Sequence, residues 1–305
     1  MSLRPIMLTR PPVEIMTNDG FWDELIEGGF RDVCVSWMTF LNEAEGGESL
    51  PSHEEARPRV LSFFDNQGGT YEYIPVINPD NKLYDGLALK PPHRSNEYNS
   101  LFTELYGAFE RAKSKGINLY LFDDKSYFEE VGYPANADGS RGFQCWNDPE
   151  VAEYLIARTR DYANQLPMFS GIVLDGPDYK WEIAPGERDD LFAEQCTCHH
   201  CADAAKAMGL DLMNMIEALG EFKLELQQLD DEKVEGFLLT TKGFLGAVDW
   251  WLSHPELLNL LRFKYSTIED HLKRTYEGIK EYLPEYQVMA SSRTPSYIAL
   301  TGHAL

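Results

Sequence analysis

The sequence lacks an apolar run long enough to cross a membrane, and its N-terminus lacks the apolar stretch of a secretory signal. Basic residues are scarce, since 27 Lys and Arg stand against 50 Asp and Glu, a formal net charge of -23. A chain this acidic cannot neutralise a phosphate backbone, which excludes nucleic-acid binding. Internal repeats and low-complexity segments are also missing. We therefore expect a cytoplasmic protein without nucleic-acid or membrane partners, and the sequence leaves homo-oligomerisation open.

Short β-rich runs alternate with helical stretches, which is typical of parallel β/α architecture. At 305 residues and 43% hydrophobic, the chain is large enough for one domain with a full core. Strands are predicted at 5–9, 31–37, 117–122, 171–175 and 287–291, with an edge hairpin at 71–76. Helices are predicted at about 21–26, 97–115, 149–165 and 202–208, and a helical insertion at 211–283.

Five strands do not close an eight-stranded barrel. The alternation therefore predicts a (β/α) barrel-type domain over residues 1–305 that is either incomplete or cut from a longer chain. We favour the cut, which predicts that the natural gene encodes further strands past Leu305.

Four of the five cysteines form a pattern typical of a metal site. Cys196, Cys198 and Cys201 lie in the run Cys-Thr-Cys-His-His-Cys, and Cys145 precedes the helix-start signal Asn147-Asp148-Pro149. Zinc prefers four soft ligands in a tetrahedron, and cysteines one and two residues apart can wrap one ion without closing a long loop. The pattern predicts a structural zinc ion whose shell is closed by four thiolates.

Other interpretations of these residues remain open at this point. Disulfide pairing is one alternative, although a Cys-x-Cys pair is badly strained for bridging. His199 or His200 could replace one thiolate, and a zinc hydrolase of another class could use them, or His303, around an open coordination position. Cys34 lies in an apolar run and is predicted to be a small buried hydrophobe.

The stretch around these cysteines resembles the central part of family 42 glycoside hydrolases, which are zinc-containing β-galactosidases on a TIM barrel. The resemblance covers about residues 117–210 and is carried by the run Ser140 to Cys145, the following helix, the strand to Asp175 and the Cys-x-Cys-x-x-Cys cluster. It implies a TIM barrel, zinc on the four cysteines and a sugar contact by Arg141. The family's Asn-Glu pair is replaced by Asp175-Gly176-Pro177-Asp178, so its acid/base glutamate is absent, and its strand-seven nucleophile is not found.

The same loops carry residues suited to glycoside hydrolysis, which needs one carboxylic acid to protonate the leaving oxygen and a second carboxylate to attack or to activate water. Asp178 is the candidate acid/base, with Asp175 and Glu182 as further catalytic candidates. Each could instead cap a helix or pair with a cation, and Asp175 suits a structural role because an Asp before Gly-Pro often folds onto nearby amides. The substrate-binding candidates are Arg141, Asp123, Asp124, Trp37, Tyr179 and Trp181.

Two functions compete for these features. The leading hypothesis is a glycoside hydrolase that acts on a carbohydrate ligand through paired carboxylates and contains a structural zinc. The alternative is a carbohydrate-binding or regulatory barrel that keeps the zinc but lost its acid/base group at Pro177.

Overall fold

The chain divides into two compact units in a computed structural model, which describes residues 6–9, 16–35, 39–40, 71–72, 79–89, 98–123, 145–174, 196–228 and 254–290. The sheet unit comprises Met1–Glu130, Glu153–Gly176 and Tyr276–Ser291. The cysteine unit comprises Val131–Ala152, Pro177–Thr275 and Ser292–Leu305. Among the described residues, no helix has both the length and the apolar character needed to cross a membrane.

The sheet unit contains a parallel sheet in which chain neighbours are also spatial neighbours. Its order is β1-β2-β5-β6-β7, every pair is parallel, and the bounds are Ile6–Thr9, Asp32–Val35, Asn118–Asp123, Phe169–Leu174 and Gln287–Ala290. Two short strands, β3 (Thr39–Phe40) and β4 (Tyr71–Glu72), pair separately in antiparallel fashion. The predicted α/β class and all five strands of the parallel sheet are confirmed within a few residues.

The helices also follow the predicted order. They are α1 (Asp19–Glu27), α2 (Tyr98–Ser114), α3 (Pro149–Gln165), α4 (His199–Ala207), α5 (Leu212–Gln227) and α6 (Pro255–Tyr282), with a short 3₁₀ helix at Asn81–Tyr84. Helix α1 separates β1 from β2, α2 precedes β5, α3 precedes β6, and α4, α5 and α6 all lie between β6 and β7. The main difference from the prediction is that α4 begins at His199 and not at residue 202.

Local signals explain where these helices begin and end. The Asp148 side chain accepts a hydrogen bond from the Glu150 amide at 2.9 Å, so Asp148 caps α3 and leaves Cys145 just outside the helix. Gly116 and Gly209 follow α2 and α4 with φ angles of 86° and 72°. Such left-handed angles suit glycine, and they end both helices where the sequence predicts.

Alternation along the strands separates two faces of the sheet. On one face Cys34, Tyr120 and Phe122 form a buried cluster, with Val173 and Met289 packed against it. Cys34 is 2% exposed, which confirms its predicted role as a buried hydrophobe. Asp123 follows Phe122 and therefore lies on the opposite face, where it pairs with Arg158 of α3.

The cysteine unit has a core of its own, made of helical residues and two of the cysteines. Cys145 and Cys201 are buried in it together with apolar side chains of three helices. These side chains are Ala205 of α4, Leu212, Met215 and Leu219 of α5, and Leu257, Leu260 and Phe263 of α6. Two sulfur atoms are thus part of the apolar interior of this unit.

Candidate metal centre

Four cysteine sulfurs from two distant chain segments meet in the cysteine unit. The Sγ atoms of Cys145, Cys196, Cys198 and Cys201 all lie within 4.8 Å of one another. Cys145 Sγ is 3.4 Å from Cys198 Sγ and 3.5 Å from Cys201 Sγ. A tetrahedral site with metal–sulfur bonds of about 2.3 Å would place its sulfurs about 3.8 Å apart. The cluster therefore has the dimensions and the donor atoms to hold one metal ion.

Local structure aims these side chains at one point. Cys145 begins a tight turn that its carbonyl closes by accepting from the Asp148 amide at 2.9 Å. Cys198 occupies the N-cap position of α4 with extended backbone angles, and its carbonyl accepts from the Ala202 amide. Cys201 follows in the first turn of α4 and is buried. The start of α4 therefore carries Cys198 and Cys201, and the turn before α3 carries Cys145.

The sulfurs interact strongly with one another. Hydrogen bonds with Cys145, and then with the other two thiols, hold the pKa of Cys198 far below its usual range. The pKa of Cys196 is also lowered, first by Cys145. The pKa of Cys145 is raised, first by its hydrogen bond with Cys196. Negative charges on four sulfurs this close repel one another, so all four can be ionised only with a bound cation, whose binding releases their protons.

The structure agrees less well with the alternative interpretations of the cysteines, which are disulfide pairing and histidine ligation. None of the five cysteines, all of which lie in the described part of the chain, forms a disulfide bond, and sulfurs 3.4 Å apart are too distant for such a bond, which is about 2.05 Å long. Within the described part of the chain, the ligand cluster consists of the four sulfurs alone. The rings of His200 and His199 are tilted by 38° to each other with centroids 3.8 Å apart, and His200 Nε2 lies 3.6 Å from Asp148 Oδ1. His303 lies outside the described residues.

One polar contact to the cluster was not predicted from the sequence. Asn147 was identified only as part of a helix-start signal, whereas its side-chain amide lies 3.4 Å from Cys201 Sγ and 3.2 Å from Thr267 Oγ1. The available signal was its position two residues after Cys145, which keeps it close to any ion on that sulfur.

Asp123 is the one described residue among the predicted carbohydrate-site residues. Its carboxylate pairs with the Arg158 guanidinium at 2.5 Å, and both side chains are 4% exposed. In the structure Asp123 thus forms an internal ion pair, and its predicted sugar contact stays a prediction.

The remaining carbohydrate-site predictions fall outside the described residues. They concern the catalytic candidates Asp175, Asp178 and Glu182, and the binding candidates Trp37, Asp124, Arg141, Tyr179 and Trp181.

No family model, curated protein or solved structure matches this chain. Its function must therefore be inferred from the chemistry of its own residues.

Proposed function

We propose that the chain binds one zinc ion on Cys145, Cys196, Cys198 and Cys201, and that this ion is a structural clamp in a barrel-type glycoside hydrolase. The observation that carries the metal half of this proposal is the convergence of four sulfurs within 4.8 Å from segments more than 50 positions apart in the sequence. The carbohydrate half rests on the sequence motifs beside those cysteines.

The donor set favours zinc in a structural role. Thiolates are soft ligands, and four of them in a compact cluster suit a tetrahedral zinc or iron–sulfur site far better than calcium or magnesium, which prefer oxygen. When bound, zinc supplies a fixed crosslink between its ligands, and four thiolates leave no open position for a catalytic water. This argues against a zinc-dependent hydrolase that would use His199 or His200 around an open site.

The strand order supports a barrel-type fold. Open doubly wound sheets reverse their strand order at a switch point, whereas a TIM barrel adds each strand beside the preceding one. Here the order β1-β2-β5-β6-β7 runs in one direction, and helices lie between successive strands. Consecutive strands of such a barrel would have the same order.

The proposed chemistry uses the acidic residues that follow β6. Asp178 would protonate the glycosidic oxygen, and Asp175 or Glu182 would act as the second carboxylate. Arg141 and the rings of Tyr179 and Trp181 would hold the sugar through polar contacts and through its apolar C–H faces. A pair of carboxyl groups about 5 to 9.5 Å apart supports hydrolysis, whereas a single carboxylate supports binding alone.

The metal half is tested by metal content. We expect one zinc per purified chain by elemental analysis, and we expect Cys198→Ser to lose it, because the three remaining thiolates hold zinc far more weakly. Cys34→Ser is the matched control, since Cys34 is buried in a different cluster of the sheet unit and is not among the four clustered sulfurs, so its loss should leave the zinc in place. Full zinc retention by Cys198→Ser would contradict the proposed site.

The carbohydrate half is tested by activity. The wild-type protein is screened against a panel of nitrophenyl glycosides, and Asp178→Asn is then assayed on any substrate found. Loss of general-acid catalysis should lower the rate by about 10²- to 10⁴-fold. Full activity in Asp178→Asn would remove Asp178 from the mechanism. Carbohydrate binding without hydrolysis of any substrate would favour the alternative, a binding or regulatory barrel.

A further inference from the structure

The side-chain amide of Asn147 lies between a cysteine ligand and a long helix. Its nitrogen is 3.4 Å from Cys201 Sγ and 3.2 Å from Thr267 Oγ1 on α6. A primary amide carries two N–H hydrogens, so Asn147 can donate to the sulfur and to the hydroxyl oxygen at the same time. Thr267 is 3% exposed and Asn147 is partly buried, so the amide contacts buried partners from the edge of the core of the cysteine unit.

Two of the other three sulfurs, those of Cys196 and Cys198, have backbone amides whose hydrogen bonds help to lower their pKa. The amide of Cys198 hydrogen-bonds the sulfur of Cys196, and the amide of Cys201 hydrogen-bonds the sulfur of Cys198. Cys201, which is 1% exposed, instead receives the side chain of Asn147. Four thiolates around a divalent cation keep a net charge of about -2, which is costly to bury without donors aimed at the sulfurs. Asn147 supplies such a donor at the most buried ligand.

Asn147 also joins the two ligand segments. It stands two residues after Cys145, in the turn closed by the hydrogen bond from the Asp148 amide to the Cys145 carbonyl. Its amide reaches from this turn to α4 through Cys201 and to α6 through Thr267. The residue therefore links the turn that carries Cys145 to the helix that carries Cys201.

We propose that Asn147, oriented by Thr267, is a positioning residue that raises the affinity of the four-cysteine site for its metal. The inference rests on the zinc ion of the proposed function. It assigns to α6 a part in metal binding, although α6 supplies no ligand to the described cluster. Removing the Asn147 amide should weaken the site directly, and removing the Thr267 hydroxyl should weaken it less, because the amide then loses its orientation but not its donors.

The test compares zinc affinity in matched variants by competition with a chromophoric chelator. Loss of a residue that supports a metal ligand from outside the coordination shell typically costs 10- to 100-fold in affinity, which is the result we expect for Asn147→Leu. Thr267→Val should show a smaller loss, and Thr267→Ser should restore wild-type affinity because it keeps the hydroxyl. Asn118→Leu is the control, since Asn118 is a partly buried asparagine that bonds Asp32 in the sheet unit.

A second measurement separates positioning from a general structural effect. In protein reloaded with cobalt(II), the thiolate-to-cobalt charge-transfer band reports the electron density on the sulfurs, and it should shift in Asn147→Leu but not in Asn118→Leu. Asn147→Ser, whose short side chain cannot reach both partners, serves if the leucine variant does not fold. Zinc affinity within twofold of wild type and an unshifted band in the folded variant would overturn the inference. Failure of the wild-type protein to bind zinc would instead overturn the proposed function.

Discussion

One buried ion pair of the sheet unit and the cysteine cluster of the cysteine unit handle charge in opposite ways. In the sheet unit, Asp123 and Arg158 have opposite charges and lie 2.5 Å apart, so each neutralises the other. In the cysteine unit, four groups that can only become negative share one small volume. Among the described contacts, their hydrogen-bond partners are one another, backbone amides and the Asn147 amide, and none of these carries a positive charge. The Asp123–Arg158 pair is electrically balanced by itself, whereas the four-cysteine cluster requires an added cation.

The cysteines themselves show the same contrast. Cys34 is as deeply buried as Cys145, yet its neighbours are the rings of Tyr120 and Phe122, and it behaves as a small apolar side chain. Cys145 lies beside three further sulfurs. Burial alone therefore does not define a metal ligand, and the number of neighbouring sulfurs decides the role.

The largest loss of stability should come from removing the cation that compensates the Asp123 carboxylate in the sheet unit. Arg158→Met keeps most of the side-chain volume but leaves the buried Asp123 carboxylate without its cation. Breaking a buried pair in this way costs about 3–5 kcal/mol, which urea denaturation of the zinc-loaded protein would measure. The variant also loses the hydrogen bond that Arg158 donates to the Tyr162 hydroxyl at 3.1 Å, which adds to the loss of stability.

An exposed ion pair supplies the control for this variant. Lys115 Nζ lies 2.6 Å from Asp23 Oδ1, but the two side chains are 29% and 54% exposed. Solvent screens such a pair, so Lys115→Met should cost no more than about 1 kcal/mol. Adding Asp123→Leu to Arg158→Met should recover most of the lost stability by removing the orphaned charge. Equal losses of stability in Arg158→Met and Lys115→Met would show that the buried Asp123 carboxylate does not depend on the charge of Arg158.

Local signals account for how much of this molecule could be predicted from its sequence. Helix α3 has the predicted bounds because Asp148 caps it and proline fits its first turn. The cysteine cluster was predicted because the Cys196–Cys201 spacing leaves few other uses for three thiols. In each case the information lies within a few neighbouring residues, where backbone geometry limits the outcome.

Contacts between distant segments were not predictable in the same way. No pattern links Asp123 to Arg158, which lies 35 positions later, because their pairing depends on how α3 packs against the sheet. The start of α4 was placed three residues late, since its N-cap residue is Cys198, which is not one of the usual N-cap residue types and makes no side-chain cap hydrogen bond. Asn147 was predicted to help start a helix, whereas its side chain contacts Cys201 and Thr267. Tertiary packing decides each of these points.

A smaller effect on stability is expected from His271, a buried residue of the cysteine unit whose imidazole stays neutral by losing its proton. It is 1% exposed, and among the described residues neither ring nitrogen has a hydrogen-bond partner. Burial, and then the charge of Arg274, lowers its pKa to about 3 from the usual 6.5. The unfolded chain therefore takes up a proton more readily than the folded protein. Stability from this group is complete above about pH 6.5 and is lost as the pH falls toward 3.

The variant His271→Phe should remove this dependence while keeping the aromatic contact with Trp146, whose ring centroid lies 4.7 Å away. Between about pH 6 and 4, the wild-type free energy of unfolding should fall more steeply, by up to about 1.4 kcal/mol per pH unit. Carboxylates and cysteine thiols titrate in both proteins, so the difference between the two denaturation curves isolates His271. Parallel pH dependences of stability in the two proteins would mean that His271 can be protonated in the folded protein, and that the interior of the cysteine unit tolerates a positive charge at this position.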